Sequence, residues 1–261
     1  MSLIYKDLTY SIRGIIFDVF ANVPGKWEEE IYEDILTDSM ISKGYKVERQ
    51  KEYSVLYKNN IVGKYRTDLV VEEKVVLELK VVTEILPLHQ AQLISYLKVT
   101  GLQLGLLINF GGSKVYMQGF PNMVSNKKIL TINFDINKTS LKNEDKKLLL
   151  PFLEMGKEVL ENLGPGFFHQ VYRRAFWDEL RAGDIDFVLI KNLELNYNGK
   201  LYGSKDIRLF KINDLLISIN AIKSIENETI SVFSNLIKHY QCKKGLLFNF
   251  NSTKMDYRFI G

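Results

Sequence analysis

Apolar residues recur at helical spacing through residues 8–23, and that spacing predicts an amphipathic helix. Pro24-Gly25 breaks it. A second helix is predicted where Trp27, Ile31, Tyr32, Ile35, Leu36 and Met40 share one stripe. The pattern then changes to strand-like runs at 45–57, 61–71 and 75–82, the last almost wholly apolar and so read as a buried central strand. Pro87 suits a first helical turn and opens a helix running to about residue 100. Residues 104–110 close as a strand. Helix, three-strand meander, helix and strand together make an α/β sandwich with a mixed sheet.

The pattern occurs twice. Gly105-Leu-Leu-Ile-Asn-Phe110 returns as Gly245-Leu-Leu-Phe-Asn-Phe250, 140 residues later. The same offset pairs Tyr32 with Tyr172, Asp38 with Asp178, Lys51 with Lys191 and Tyr57 with Tyr197. It also pairs Gly63 with Gly203, Lys98 with Lys238 and Lys114 with Lys254. No gap is needed from about residue 19 to residue 114, which coincidence does not readily produce. Two homologous domains follow, residues 1–125 and 126–261, joined across a loop-like stretch near 119–142 in which residues 129–136 are a candidate closing strand.

Composition narrows the class. The 261 residues are 46% apolar and 25% charged, which excludes a disordered chain, a collagen-like fibre and a coiled coil. Cys242 is the sole cysteine, so no disulfide framework forms within the chain. No apolar run reaches the ~20 residues that span a bilayer, and Met1-Ser-Leu-Ile-Tyr-Lys-Asp lacks the core of a signal peptide. The expectation is a soluble cytoplasmic protein without a membrane partner. Net charge is only +4, which permits a nucleic-acid partner without arguing for one.

Candidate chemistry gathers in the first copy. If Glu72-Glu73-Lys74 form a hairpin turn, Val71 pairs with Val75 and Asp68 falls opposite Glu78. Lys80, two residues on, shares that face. An isolated Glu-x-Lys is commonly a solvated ion pair. A buried Asp–Glu pair beside one lysine is instead costly without a cation, and a hard divalent ion is the natural partner. Gln92 and Tyr96 share a face of the following helix. A glutamine there serves either as a surface residue or to orient a water or phosphate. His89 lies at that helix's start, where histidines are commonly solvent-facing. Of the acidic run Glu28-Glu29-Glu30, periodicity does not separate Glu28 from Glu29 as the inward residue.

Asp68, Glu78-Leu79-Lys80 and Gln92-Leu-Ile-Ser-Tyr96 together resemble the core order of the PD-(D/E)XK nuclease superfamily. The nearer resemblance is to its bacterial GxxExxY family. Its signature is similar to Gly166-Phe-Phe-His-Gln-Val-Tyr172, with His for Glu, and to the stretch from Pro24 to Tyr32, which keeps Glu29 and Tyr32 with the glycine displaced to Gly25. Arg66-Thr-Asp68, Val76-Leu-Glu-Leu-Lys80, His89-Gln-Ala-Gln-Leu93, Gly101 and Gly105-Leu-Leu-Ile-Asn-Phe-Gly111 extend it over nearly all of residues 5–118. The resemblance implies two tandem restriction-endonuclease-like domains. It also implies a phosphodiesterase dependent on Mg²⁺ or Mn²⁺, acting on nucleic acid and first of all DNA. Asp68 and Glu78 would ligate the metal, with Glu29 completing the shell directly or through water. Lys80 would orient or deprotonate the attacking water, and Gln92 would position water or the substrate backbone. The 140 offset turns Glu29 into His169, Asp68 into Arg208, Glu78 into Ser218, Lys80 into Asn220 and Gln92 into Val232. The second copy thus reads as a frame without the chemistry, and Asp206 becomes available near the Asp68 position only if the strand shifts by two. The competing reading is a scaffold that binds nucleic acid or protein without cutting. Sequence leaves the oligomeric state open.

Overall fold

Two five-stranded mixed sheets, each with helices against it, organise a computed structural model that describes residues 4–123, 132 and 135–261. Contacts separate the chain into two units. The first holds residues 1–127 with Gly166–Phe168, and the second holds Lys128–Pro165 with His169–Gly261.

The first unit begins with α1 (Lys6–Asn22) and α2 (Glu29–Ser42). Its strands are β1 (Val47–Arg49), β2 (Glu52–Tyr57), β3 (Asn60–Arg66), β4 (Leu69–Val71) and β5 (Val75–Lys80). Helix α3 (Pro87–Thr100) crosses to β6 (Leu104–Asn109), and β7 (Tyr116–Pro121) follows. The sheet order is β1-β4-β5-β6-β7, with β5 and β6 parallel and the other neighbours antiparallel. Every residue of β5 and β6 is buried, as expected where both faces of a parallel pair are covered. Val75, Leu77 and Leu79 join α1 and α2 in one core. The alternate residues of β5 face the α3 side, and Gly105 of β6 admits that helix: a Cβ there would lie 2.6 Å from Leu93 Cδ1.

Three expectations need correction. The three-strand meander is interrupted: β1, β4 and β5 keep its antiparallel pairing in the main sheet, while β2 and β3 form a separate two-stranded ribbon. Gln50 takes a left-handed φ of 49°, and its N–H donates to the Asp68 carbonyl, while Thr67 N–H donates to the Lys51 carbonyl. Those bonds pin a kink in both long runs, so their outer halves leave the sheet. Trp27 precedes α2 rather than joining its stripe, and its indole N–H caps the Pro24 carbonyl at 2.8 Å. The first unit closes with β7, which was not anticipated. The candidate strand at 129–136 lies mostly outside the described residues, and Ile136 opens a short 3-10 turn.

The second unit runs α4 (Asn143–Leu163), α5 (His169–Ala182), β8 (Val188–Tyr197), β9 (Lys200–Ile212), β10 (Leu215–Asn220), α6 (Asn227–His239), β11 (Lys244–Asn249) and β12 (Asp256–Ile260). Its sheet order is β12-β11-β10-β9-β8, with β10 and β11 parallel. The same devices recur in both units. Tyr32 stacks on Phe110 at 4.2 Å, and Tyr172 stacks on Phe250 at 4.8 Å. Asn109 Oδ1 accepts the N–H groups of Val82 and Gly111; Asn249 Oδ1 accepts those of Ile222 and Asn251. The repeated Gly-Leu-Leu-x-Asn-Phe segment is therefore structural. Its glycine lets a helix approach, its asparagine clamps the neighbouring strand's exit, and its phenylalanine underlies the helix tyrosine.

The gapless offset is not followed through one hairpin. Val71 pairs with Val75 across a three-residue turn, whereas Ile212 pairs with Leu215 across two. The second unit's pairing is thereby displaced by one rung. In β9, Ile207 and Arg208 then face the single residue Lys191 of β8, and Arg208 takes a φ of 42°: a bulge.

Candidate functional site

The turn at residues 72–74 fixes the register Val71↔Val75, Val70↔Val76 and Leu69↔Leu77. Continued by one rung, that ladder sets Asp68 against Glu78. The ladder ends at the Asp68 bend, which frees the carboxylate to turn along β5 and accept Leu79 N–H at 2.7 Å. Glu78 stands in the middle of the buried strand with no solvent exposure. Lys80, also buried, holds Nζ 2.7 Å from Glu78 Oε1 and donates to the Leu79 carbonyl at 2.6 Å. Lys80 is thus the partner of Glu78 Oε1, and Glu78 Oε2 has no hydrogen-bond partner among the described residues.

The acidic run resolves at the start of α2. Glu28 is exposed at the N-cap, while Glu29 turns to the strand end. Glu29 Oε2 lies 3.4 Å from Lys80 Nζ, and Oε1 accepts Val81 N–H at 3.3 Å. On α3, Gln92 Nε2 donates to Tyr96 Oη at 2.8 Å. His89 is spent on the helix start, where its Nδ1 accepts Leu86 N–H at 3.1 Å. Glu29, Asp68, Glu78 and Lys80 thus converge, and Tyr96, within electrostatic reach of Glu78 and Asp68, brings Gln92 to the same face.

Burial and neighbouring charge shift Glu78, Asp68, Lys80 and Tyr96. Burial first, then the Asp68 charge, pushes the Glu78 carboxyl up to about 8. Burial raises Asp68 to about 6 against the lowering effect of the Leu79 amide and Lys80. Burial pulls the Lys80 ammonium down, but Glu78, Asp68 and Glu29 outweigh it and hold its pKa above the ordinary lysine value. The Tyr96 phenol is raised by burial and next by Glu78. One lysine does not balance this set, so the site favours an added proton or cation.

Glu33 was not anticipated. It is buried, accepts a hydrogen bond from Gln50 Nε2 at 2.5 Å, lies 3.7 Å from an Arg49 guanidinium nitrogen, and contributes to the rise of Asp68. Gln50 also holds the Asp68 carbonyl through its own N–H, so Glu33 braces the segment that presents Asp68. The available signal was its position four residues after Glu29 on one helix face.

In the second unit, His169, Asp206, Arg208, Ser218 and Asn220 line one cavity. The bulge brings both Asp206 and Arg208 to it, and Arg208 Nε donates to both Asp206 carboxylate oxygens at 3.0 and 2.8 Å.

Among the described residues no three His, Cys, Asp or Glu side chains form a ready-made metal cage, and no helix is long and apolar enough to cross a membrane. The sequence model of the PD-(D/E)XK nuclease superfamily matches residues 6–120 and again 148–260. No curated protein matches the chain. The solved structure of SSO0001 is similar over 36% of this chain, at 17% identity and a TM-score of 0.30, and the matched part spans 50% of that chain.

Proposed function

Because the chain belongs to the PD-(D/E)XK nuclease superfamily, we propose that its first copy, residues 1–125, is a metal-dependent phosphodiesterase cutting nucleic acid, with DNA the first substrate to test. Residues 126–261 form a nuclease-like copy without metal chemistry, and the chain falls in the GxxExxY branch. The observation that carries this reading is Glu78: a fully buried carboxylate, met by Lys80 at one oxygen, without a hydrogen bond at the other, and set against a second acid. No stability argument calls for that arrangement, and a cation satisfies it.

The donor set fits a hard ion. Asp68 and Glu78 would hold Mg²⁺ or Mn²⁺, with Glu29 reaching it directly or through water. The missing cage is no obstacle, since Mg²⁺ commonly takes one or two carboxylates and keeps several waters. When bound, such an ion neutralises the paired acids, polarises a phosphoryl oxygen and lowers the pKa of water. Lys80, with its pKa held high by its acidic neighbours, carries its proton at neutral pH and serves the negative charge that develops on the phosphate. It becomes a proton acceptor only once those neighbours are neutralised. Gln92, fixed by Tyr96, keeps its amide oxygen available to a water or a sugar–phosphate group.

The experiment is incubation of the full chain with linear, nicked and single-stranded DNA and with RNA, with Mg²⁺ or Mn²⁺, beside Asp68→Ala. Cleavage lost in the variant supports the site. Cleavage that survives it refutes the site, and no cleavage of any substrate favours a binding scaffold.

A further inference from the structure

In the second unit His169, Arg208 and Ser218 stand at the positions of Glu29, Asp68 and Glu78, around a cavity of about 610 Å³. On α5, His169, Arg173 and Trp177 follow one another at four-residue spacing and so form one stripe toward it, with Arg174 alongside. The β9 bulge adds Arg208. Three guanidiniums thus line a space whose one acid is Asp206, already engaged by Arg208. Among the described residues, no hydrogen bond or ion pair engages the Arg173 guanidinium.

We propose that this cavity binds a nucleotide through its phosphate group, as a free nucleotide or as the phosphorylated end of a strand. Guanidinium forks match phosphate geometry, and several together recruit a multiply charged anion. Ser218 of β10 offers a hydroxyl donor at the wall, its Oγ held by an N–H of Asn220. Trp177, part-exposed and edge-on to Phe187 at 6.3 Å, presents a ring face on which a base can stack. The volume lies within the range of small-ligand sites. The electrostatics agree. Burial, then Arg208, lowers the pKa of Arg173 against the opposite effect of Asp206, so the two guanidiniums repel one another until an anion arrives, and burial, then Arg173, lowers that of His169. Nothing in this inference requires the first unit to cut.

The test is calorimetric titration of the full chain in EDTA. The probes are adenosine monophosphate, inorganic phosphate, and one short single strand carrying either a 5′-phosphate or a 5′-hydroxyl. Saturable binding of a phosphorylated probe is expected, weakened at least ~10-fold by Arg173→Ala or Arg208→Ala and less by Arg173→Lys. Asp206→Asn releases Arg208 and tightens binding, an opposite sign that keeps the test decisive where an arginine variant fails to fold. Equal binding of the mononucleotide and the strand marks a free-nucleotide site, whereas binding of the phosphorylated strand alone marks a strand end. The proposal is overturned if no probe saturates, if the hydroxyl-ended strand binds as tightly as the phosphorylated one, or if the arginine variants change nothing.

Discussion

Replacing Glu78 by glutamine should stabilise the protein at alkaline pH in the absence of divalent ions. A carboxyl with a pKa of about 8 in the fold, against an ordinary 4.5, prefers to keep its proton. The native state therefore binds more protons than the unfolded chain between those values, and stability falls as pH rises through them. The slope is at most ~1.4 kcal/mol per pH unit, so the accumulated cost by pH 8 is about 4 kcal/mol. Asp68, raised to about 6, adds in the same sense. Glutamine keeps the shape and removes the charge, although it leaves Lys80 one partner short. A net gain of about 2 kcal/mol at pH 8 is expected, about 4–8 °C in melting temperature for a chain of this size. Near pH 4.5 wild type and variant should be nearly equal. Thermal melts followed by circular dichroism from pH 4.5 to 9, in EDTA and then in Mg²⁺ or Mn²⁺, read both effects. The ion should raise the wild-type midpoint at pH 8, by about 2.7 kcal/mol at one hundred times its dissociation constant, and leave the variant unmoved. A variant no more stable than wild type at pH 8 in EDTA, or one that gains as much from the ion, would refute the reasoning.

Other outcomes follow from the same geometry. Asp68→Ala should weaken Mn²⁺ binding at least ~10-fold in calorimetry, because it removes half of the opposed acid pair. Asn109→Ala strips the partner from Val82 N–H and Gly111 N–H and should cost about 1–3 kcal/mol in denaturant unfolding; a loss under ~0.5 kcal/mol would show the clamp to be dispensable. Gly111→Ala puts a Cβ 2.3 Å from the Val82 carbonyl oxygen and should destabilise by at least ~1–3 kcal/mol, read by the same unfolding curves. Tyr96→Phe frees the Gln92 amide without opening a cavity, so activity should fall while the melting temperature moves by less than ~4 °C.

The acid pair was legible because a strand's period of two and a three-residue turn together decide which side chains meet, and Val71, Val75, Asp68 and Glu78 obey both. The helices were legible from Pro24-Gly25, Pro87 and the apolar stripes. The β2–β3 ribbon was not, because the kink sits at Gln50 in a left-handed conformation that usually betrays itself by glycine or asparagine. Strand β7 carries Gly119 and Pro121 and shows half-exposed alternation, so it reads as loop although it is a sheet edge. Glu33 was hidden by its neighbours, since an acid within Tyr32-Glu33-Asp34 looks solvated until Arg49 and Gln50 are seen beside it. The one-rung displacement of the second hairpin leaves no gap in the sequence at all.

That shortened turn determines what mutation can reach. Writing Asp at 208 and Glu at 218 would copy the first unit's letters without copying its geometry, because the rung after Ile217↔Phe210 sets Ser218 against Leu209. Those two changes alone do not convert one unit into the other; the turn must also widen to take in Ile212, so that Lys211 rather than Ile212 faces Leu215. The two halves are thus separated by a change of reading frame in space, set by which residues each hairpin spends on its turn.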